Sequence, residues 1–182
     1  MKVKFALAGL CGLFAATPAL ADISVCITVS ATGPAASLGV PENNTIPLLP
    51  REVAGQTINY TSFDDATDPT AAVKNVRKCI EEQKADLLIG SSTTPTTIAV
   101  AGVAAETKTP VLTLAPVGLP EDSEVWAFRT PQPVSQMAGA LVEHMTANGV
   151  KTLGFIGYAD GYGELWLNVM NKALEGTGIA ME

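Results

Sequence analysis

Hydroxyl side chains are concentrated in one short segment, residues 91–97, which reads Ser-Ser-Thr-Thr-Pro-Thr-Thr. The apolar run Leu-Leu-Ile at residues 87–89, ended by Gly90, is typical of a strand buried in a parallel sheet. A helix is predicted from about Ile98. Ligands of open α/β sheets bind beyond the carboxyl ends of strands, where a helix N-terminus favours an anionic group. The segment therefore predicts a ligand-facing loop, with helix N-capping by Ser or Thr as the alternative.

The other side chains that could do chemistry are isolated in the sequence. The single histidine, His144, falls within a helical pattern and has no nucleophile motif near it, so we interpret it as an ordinary helical residue. Residues 90–94 lack the G-x-S-x-G arrangement of a serine hydrolase. We therefore predict no catalytic residue and no enzymatic activity, with an exported α/β hydrolase as the enzymatic alternative.

Metal and cofactor motifs are also incomplete. Asp64, Asp65 and Asp68 suggest calcium, but Ala66 stands where an EF-hand loop needs Asp or Asn, so strand-end and capping roles are favoured. The glycines around residues 157–163 depart from G-x-G-x-x-G, and no P-loop lysine follows. We expect no metal and no cofactor. Tyr162, in this glycine-rich loop, is predicted either to close over a ligand or to be a half-buried turn residue.

Composition and the N-terminus indicate an exported globular protein. The chain has 182 residues, 47% of them hydrophobic, and a net charge of −7, which disfavours a nucleic-acid partner. Residues 1–21 combine Lys2 and Lys4, an apolar stretch and a final Ala-Leu-Ala, as in a cleavable signal peptide. Leu10 before Cys11 argues against a lipoprotein anchor. No later apolar run reaches the roughly 18 residues of a membrane span, so we predict no membrane insertion.

Two cysteines lie beyond the predicted signal peptide, Cys26 on a predicted strand and Cys79 on a predicted helix. Export to an oxidising compartment permits a disulfide between them. Their spacing matches no metal motif, and buried free cysteines behave as small hydrophobic residues. We interpret them as two such residues.

Strand and helix patterns alternate along the chain. Strands are predicted at residues 23–29, 57–63, 87–89, 110–116 and 152–157. Helices are predicted from Asp68-Pro69, from Ile98, from a Ser135 cap, and over residues 165–174. Three prolines allow at most a short turn in residues 40–55, and residues 126–133 are interpreted as a connector. This alternation predicts an α/β fold with a parallel sheet, helices on both faces and right-handed crossovers.

With these segments in place, the chain resembles the leucine/isoleucine/valine family of periplasmic solute-binding proteins, the type I receptors of ABC importers. The resemblance is carried, in this order, by residues 32–39, 63–69, 89–97, 108–116, 128–130 and 160–163. It implies a type I periplasmic-binding-protein clamshell, with a first lobe in residues 22–130 and the start of a second in 131–182. The segments that complete both lobes are expected beyond Glu182. The implied function is capture, between the two lobes, of a branched-chain amino acid or similar small carboxylate in the periplasm for delivery to a membrane permease.

The resemblance also implies a set of substrate-binding residues: Ser92, Thr93, Thr94, Thr96, Ala115, Pro116 and Tyr162. In this family the Ser/Thr loop and the turn after the next strand hold the ligand's carboxylate and ammonium, and the tyrosine packs from the second lobe. Val117 stands where amino-acid binders commonly have threonine. Two alternatives therefore stay open: a binder of aromatic or aliphatic carboxylates lacking an amino group, and a ligand-sensing receptor module.

Overall fold

The computed structural model describes residues 22–182, so the predicted signal peptide with Cys11 lies outside the described residues. Residues 22–182 form a six-stranded sheet and a separate two-stranded sheet, with helices packed against both. Within residues 22–182, no helix combines the length and apolar character that crossing a membrane requires.

The strands are β1 (Ile23–Val29), β2 (Glu52–Val53), β3 (Gln56–Asp64), β4 (Leu87–Ile89), β5 (Val111–Thr113), β6 (Ala127–Arg129), β7 (Thr152–Leu153) and β8 (Ala180–Met181). The helices are α1 (Ala36–Thr45), α2 (Pro69–Glu81), α3 (Thr94–Thr107), α4 (Glu121–Glu124), α5 (Val134–Ala147) and α6 (Gly161–Leu174). A short 3-10 helix, Ile46–Leu48, follows α1.

The main sheet has the order β2-β3-β1-β4-β5-β6 and is parallel apart from β2, which pairs antiparallel with β3. Helices connect its parallel strands, so their carboxyl ends share one edge of the sheet. The smaller sheet pairs β7 with β8, also in parallel. The predicted α/β fold with a parallel sheet and flanking helices is confirmed.

Alternating side chains of β1 supply the cores on the two faces of the main sheet. Val25, Ile27 and Val29 pack on the face where Ile46 and Leu49, just after α1, complete the cluster, whereas Cys26 joins the core beneath α2 and α3. The period-2 pattern of β1 thus places successive side chains on opposite faces. A third core lies between α5 and α6, where Ala138 packs with Met170 and neighbouring apolar residues.

Helix α1 contradicts the prediction of at most a short turn after residue 40, because it runs to Thr45 with Pro41 inside it. Close packing accounts for this helix. A β-carbon on Gly39 would lie 2.1 Å from the Ser30 carbonyl oxygen, so only glycine lets α1 approach the end of β1 this closely. The tertiary contact outweighs the helix-breaking tendency of the proline.

The boundary between the sheets also differs from prediction. The segment interpreted as a connector contains strand β6, which pairs in parallel with β5. Helix α5 begins at Val134 after Pro133, so Ser135 lies in its first turn and does not cap it. Strand β7 has two residues and not six, whereas the stop of α5 before Asn148 is as predicted.

Cys26 and Cys79 form a disulfide with their Cα atoms 5.9 Å apart, so the prediction of two free hydrophobic cysteines is wrong. Cys26 points from β1 toward α2, and Cys79 lies on the side of α2 that faces the sheet. Both are buried in the same core. The bridge joins the central strand to the helix packed on it, a proximity that sequence spacing alone does not reveal.

Candidate functional site

The candidate site lies at the carboxyl ends of β1, β4 and β5, which are neighbours in the sheet. Helix α3 begins at Thr94, four residues before the predicted start, and Thr93 is its N-cap. Thr93 and Thr96 form a reciprocal capping box. Only residues 91–93 therefore form the loop, and the later threonines belong to the first turn of the helix.

Most hydroxyl protons of this segment are used within the protein. Thr94 Oγ1 donates to the Pro116 carbonyl over 2.7 Å, which joins the α3 N-terminus to the turn after β5. Thr96 Oγ1 donates to the Thr93 carbonyl, and Thr97 Oγ1 donates to the Ser91 carbonyl. The capping alternative therefore accounts for Thr93 and Thr96. For an anion, the segment offers the partial positive charge of the helix N-terminus more than free hydroxyl donors.

Asp65 organises the floor of the site, although sequence analysis gave it only a strand-end role. Its side chain is fully buried at 0% exposure. It accepts hydrogen bonds from the Ser30 hydroxyl at 2.7 Å, from the Ser91 hydroxyl and from the Thr28 hydroxyl. The Thr67 amide donates to it as well. This carboxylate therefore ties together the ends of β1, β3 and β4.

Ser92 is the member of the loop that faces α1. Its Oγ accepts the Ser30 amide hydrogen over 2.8 Å and donates its own proton to the Glu42 carboxylate. Burial raises the pKa of Glu42, the Ser92 hydrogen bond opposes that change, and the nearby charge of Asp65 adds to it. Sequence analysis missed Glu42 because it missed α1, the helix that carries it.

The N-terminus of α6 faces that of α3. Asp160 caps α6, and its Oδ1 accepts the amides of Tyr162 and Gly163 at 2.9 and 3.1 Å. A β-carbon placed on Gly161 would lie 3.7 Å from Thr94 Cγ2 and 3.2 Å from Ile98 Cδ1. The start of α6 therefore lies close to the first turns of α3, which brings the partial positive charges of the two helix N-termini near each other.

The remaining predicted site residues are divided between this contact and a neighbouring cavity. Ala115 is buried, and Pro116 is half-buried where its carbonyl meets Thr94. Tyr162 follows Gly161, but its ring packs edge-on against Trp166 with centroids 6.4 Å apart. A cavity of about 540 Å³ adjoins these two rings, and it is lined by Phe155, Ile156, Gly157, Tyr158, Tyr162, Gly163 and Trp166. The structure therefore brings Ser92, Thr94 and Pro116 to one edge of the sheet, whereas the Tyr162 ring lines a cavity formed within residues 155–166.

The arrangement is suited to binding and offers no metal centre. Within residues 22–182, no group of three or more His, Cys, Asp or Glu side chains could hold a metal ion. His144 lies exposed on α5, where its carbonyl accepts the Asn148 amide, remote in sequence from the hydroxyl loop. The meeting of two helix N-termini near the carboxyl ends of parallel strands places the candidate site where ligands bind in open α/β sheets.

Comparison with known proteins identifies the family of this chain. The sequence model described as periplasmic binding protein matches residues 22–181, and the chain belongs to that family. A search of curated proteins finds no match.

Solved structures share the fold. An extracellular ligand-binding receptor from Rhodopseudomonas palustris HaA2 is 44% identical with a TM-score of 0.87, over 88% of this chain and 45% of that one. A solute-binding protein of an ABC transporter from R. palustris BisB5, in complex with 3,4-dihydroxybenzoic acid, is 24% identical with a TM-score of 0.79, over 88% and 46%. A leucine-binding protein from Thermotoga maritima is 18% identical with a TM-score of 0.78, over 88% and 46%. The chain thus spans slightly less than half the length of these structures.

Proposed function

We propose that this protein captures a small organic carboxylate at the edge where α3 and α6 meet, as the periplasmic solute-binding component of an ABC importer. The contact between the two helix N-termini is the observation that carries this proposal. Some first-turn amides of each helix are already capped, by Thr93 in α3 and by Asp160 in α6, so the feature that favours an anion is the partial positive charge of the two N-termini. A carboxylate placed there would be stabilised mainly by α3, because the cap of α3 is neutral whereas the cap of α6 is itself a carboxylate.

The division of the chain into lobes belongs to the same proposal. Residues 22–130 would form the first lobe and residues 131–182 the beginning of the second. Gly161 fills the contact between α3 and α6, so a ligand reaches this position when the lobes separate and is enclosed when they close. Export by the predicted signal peptide and delivery to a membrane permease complete the proposed role.

Two ligand classes fit this site, and different observations favour each. The aromatic side chains of Tyr162 and Trp166, which line the cavity at the start of α6, favour an aromatic carboxylate, as does the structural relative in complex with a dihydroxybenzoic acid. Val117, buried where amino-acid binders commonly have threonine, also favours it. The similarity to a leucine-binding protein favours a branched-chain amino acid. We place the aromatic carboxylate first.

A thermal-shift screen of the full chain tests the proposal, with benzoate, 3,4-dihydroxybenzoate, L-leucine and 4-methylpentanoate as probes. A ligand at one hundred times its Kd stabilises the native state by about 2.7 kcal/mol, or roughly 5–10 °C for a domain of this size. We expect such a shift with at least one probe.

Matched threonine variants locate the binding. Thr94→Val removes the hydrogen bond to Pro116 at the N-terminus of α3, and we expect the ligand-induced shift to fall. Thr107→Val removes a comparable hydroxyl bond, to the Val103 carbonyl at the other end of α3, and should keep the shift. No shift with any probe, or turnover of an ester substrate by the chain, would overturn the proposal.

A further inference from the structure

Glu42 is a carboxyl group beside the site that the proposed function does not use. It lies half-buried on α1, one turn beyond the close contact of Gly39 with the end of β1. One of its oxygens accepts the hydroxyl proton of Ser92. Within residues 22–182, no lysine, arginine or histidine forms an ion pair with it. A half-buried carboxylate without a cationic partner requires hydrogen-bond donors from elsewhere.

The hydrogen bonds of Ser92 define what this residue can offer a ligand. A serine hydroxyl has one proton and two lone pairs. The Ser30 amide occupies one lone pair over 2.8 Å, and ionised Glu42 takes the proton. Ser92 is therefore left with one lone pair and can accept a hydrogen bond but cannot donate one.

We propose that Glu42 is a specificity-determining residue that fixes Ser92 as an acceptor, so that the site selects carboxylate ligands that also carry an N–H or O–H donor. This inference rests on the proposed function. It deepens that function by naming the ligand class: hydroxylated aromatic acids or α-amino acids, in preference to acids of the same shape that lack the donor. Glu42 acts here through Ser92, as a positioning residue.

If Glu42 acts through Ser92, the preference for donor-bearing ligands should depend on the charge state of Glu42. A purely structural role of Glu42 would not produce this dependence. Asp65, at the end of β3, is the charged group that acts on Glu42, whereas Ser30 and Ser92 are neutral. Burial and Asp65 both raise the pKa of Glu42, against the opposing effect of Ser92. Protonated Glu42 can donate to the remaining lone pair of Ser92, which frees the Ser92 proton for a ligand. Selection for a donor should therefore weaken as the pH falls.

Calorimetric titration of the full chain with two matched ligand pairs tests this inference. L-leucine is compared with 4-methylpentanoate, and 3,4-dihydroxybenzoate with benzoate. For a pair that binds, we expect the wild type to favour the donor-bearing member by about tenfold or more, the scale of a hydrogen bond to a charged group. Glu42→Gln should reduce that preference to about twofold. Glu52→Gln removes the same charge from the exposed strand β2 and should leave the preference unchanged.

The ratio of the affinities for the two members of a pair can also be measured in the wild type alone, at about pH 7.5 and about pH 5.5. We expect this ratio to be smaller at the lower pH. If circular dichroism shows that Glu42→Gln does not fold, the wild-type pH series and Ser92→Ala decide the matter. Equal affinity for both members of a pair, or a preference unchanged in Glu42→Gln and with pH, overturns this inference and leaves the proposed function intact. Absence of binding by all four probes overturns the proposed function and this inference with it.

Discussion

Reduction of the Cys26–Cys79 disulfide should destabilise the protein strongly, because the bridge closes a long stretch of chain. The two residues are 53 positions apart. The loop-entropy relation gives about 4 kcal/mol of stabilisation for a loop of this length. For a domain of this size, that free energy corresponds to a decrease in Tm of roughly 8–16 °C.

Burial of the bridge sets the conditions of the measurement. Cys26 is 2% exposed and Cys79 is 0% exposed, so reductant reaches the sulfurs mainly in the unfolded chain. Denaturant unfolding at equilibrium, with and without dithiothreitol, therefore reports the free-energy difference directly. Peptide mass mapping without reductant should recover residues 26 and 79 in one cross-linked pair of peptides.

The double variant Cys26→Ala/Cys79→Ala is the matched control. It should resemble the reduced wild type in its unfolding midpoint and should not respond to dithiothreitol. An oxidised wild type with the same midpoint as the reduced form would refute the reasoning, as would free thiols at both positions in the native protein.

Two further predictions concern buried and capping carboxylates. Asp65→Ala should lower the free energy of unfolding by about 2–4 kcal/mol in a denaturant titration, because it leaves the buried hydroxyls of Ser30 and Ser91 without their acceptor. Asp86→Ala is the control: it removes an exposed acceptor of the Ser24 amide and should lower the free energy of unfolding much less. The Ala71 and Thr70 amides hold the pKa of Asp68 below its usual range, so its charge stabilises the folded state at neutral pH and this contribution is lost as the pH falls below about 4. Unfolding curves of Asp68→Asn, which retains a capping side chain, should therefore converge on those of the wild type in acid, and a difference that persists unchanged would contradict this account.

Sequence patterns correctly predicted the elements whose bounds depend on residues close to them in the chain. Strand β1 was expected at its observed bounds because alternating side chains supply both faces of the sheet. The start of α2 was predicted because Asp68 and Pro69 are a cap and a first-turn residue whatever surrounds them. The end of α5 before Asn148 follows from the same kind of local signal.

Features that depend on distant contacts were not predictable in this way. Helix α1 depends on the approach of Gly39 to Ser30, which no pattern around Pro41 indicates. The disulfide depends on how α2 is rotated over β1. In the site, the hydroxyl-rich segment was evident from the sequence. The hydrogen bonds that Ser92 and Ser91 donate to Glu42 and Asp65 were not, because these two acids come from other parts of the chain.

The lengths of the outermost strands bear on how the protein avoids aggregation. The main sheet ends in β2, with two residues, on one side and in β6, with three, on the other. Short edge strands expose few unpaired amide and carbonyl groups to a neighbouring molecule. Glu52 and Arg129 add a charge at each edge, and charged side chains further disfavour strand-to-strand association. Both edges of the main sheet are therefore poor templates for an intermolecular sheet while neighbouring chains are still folding.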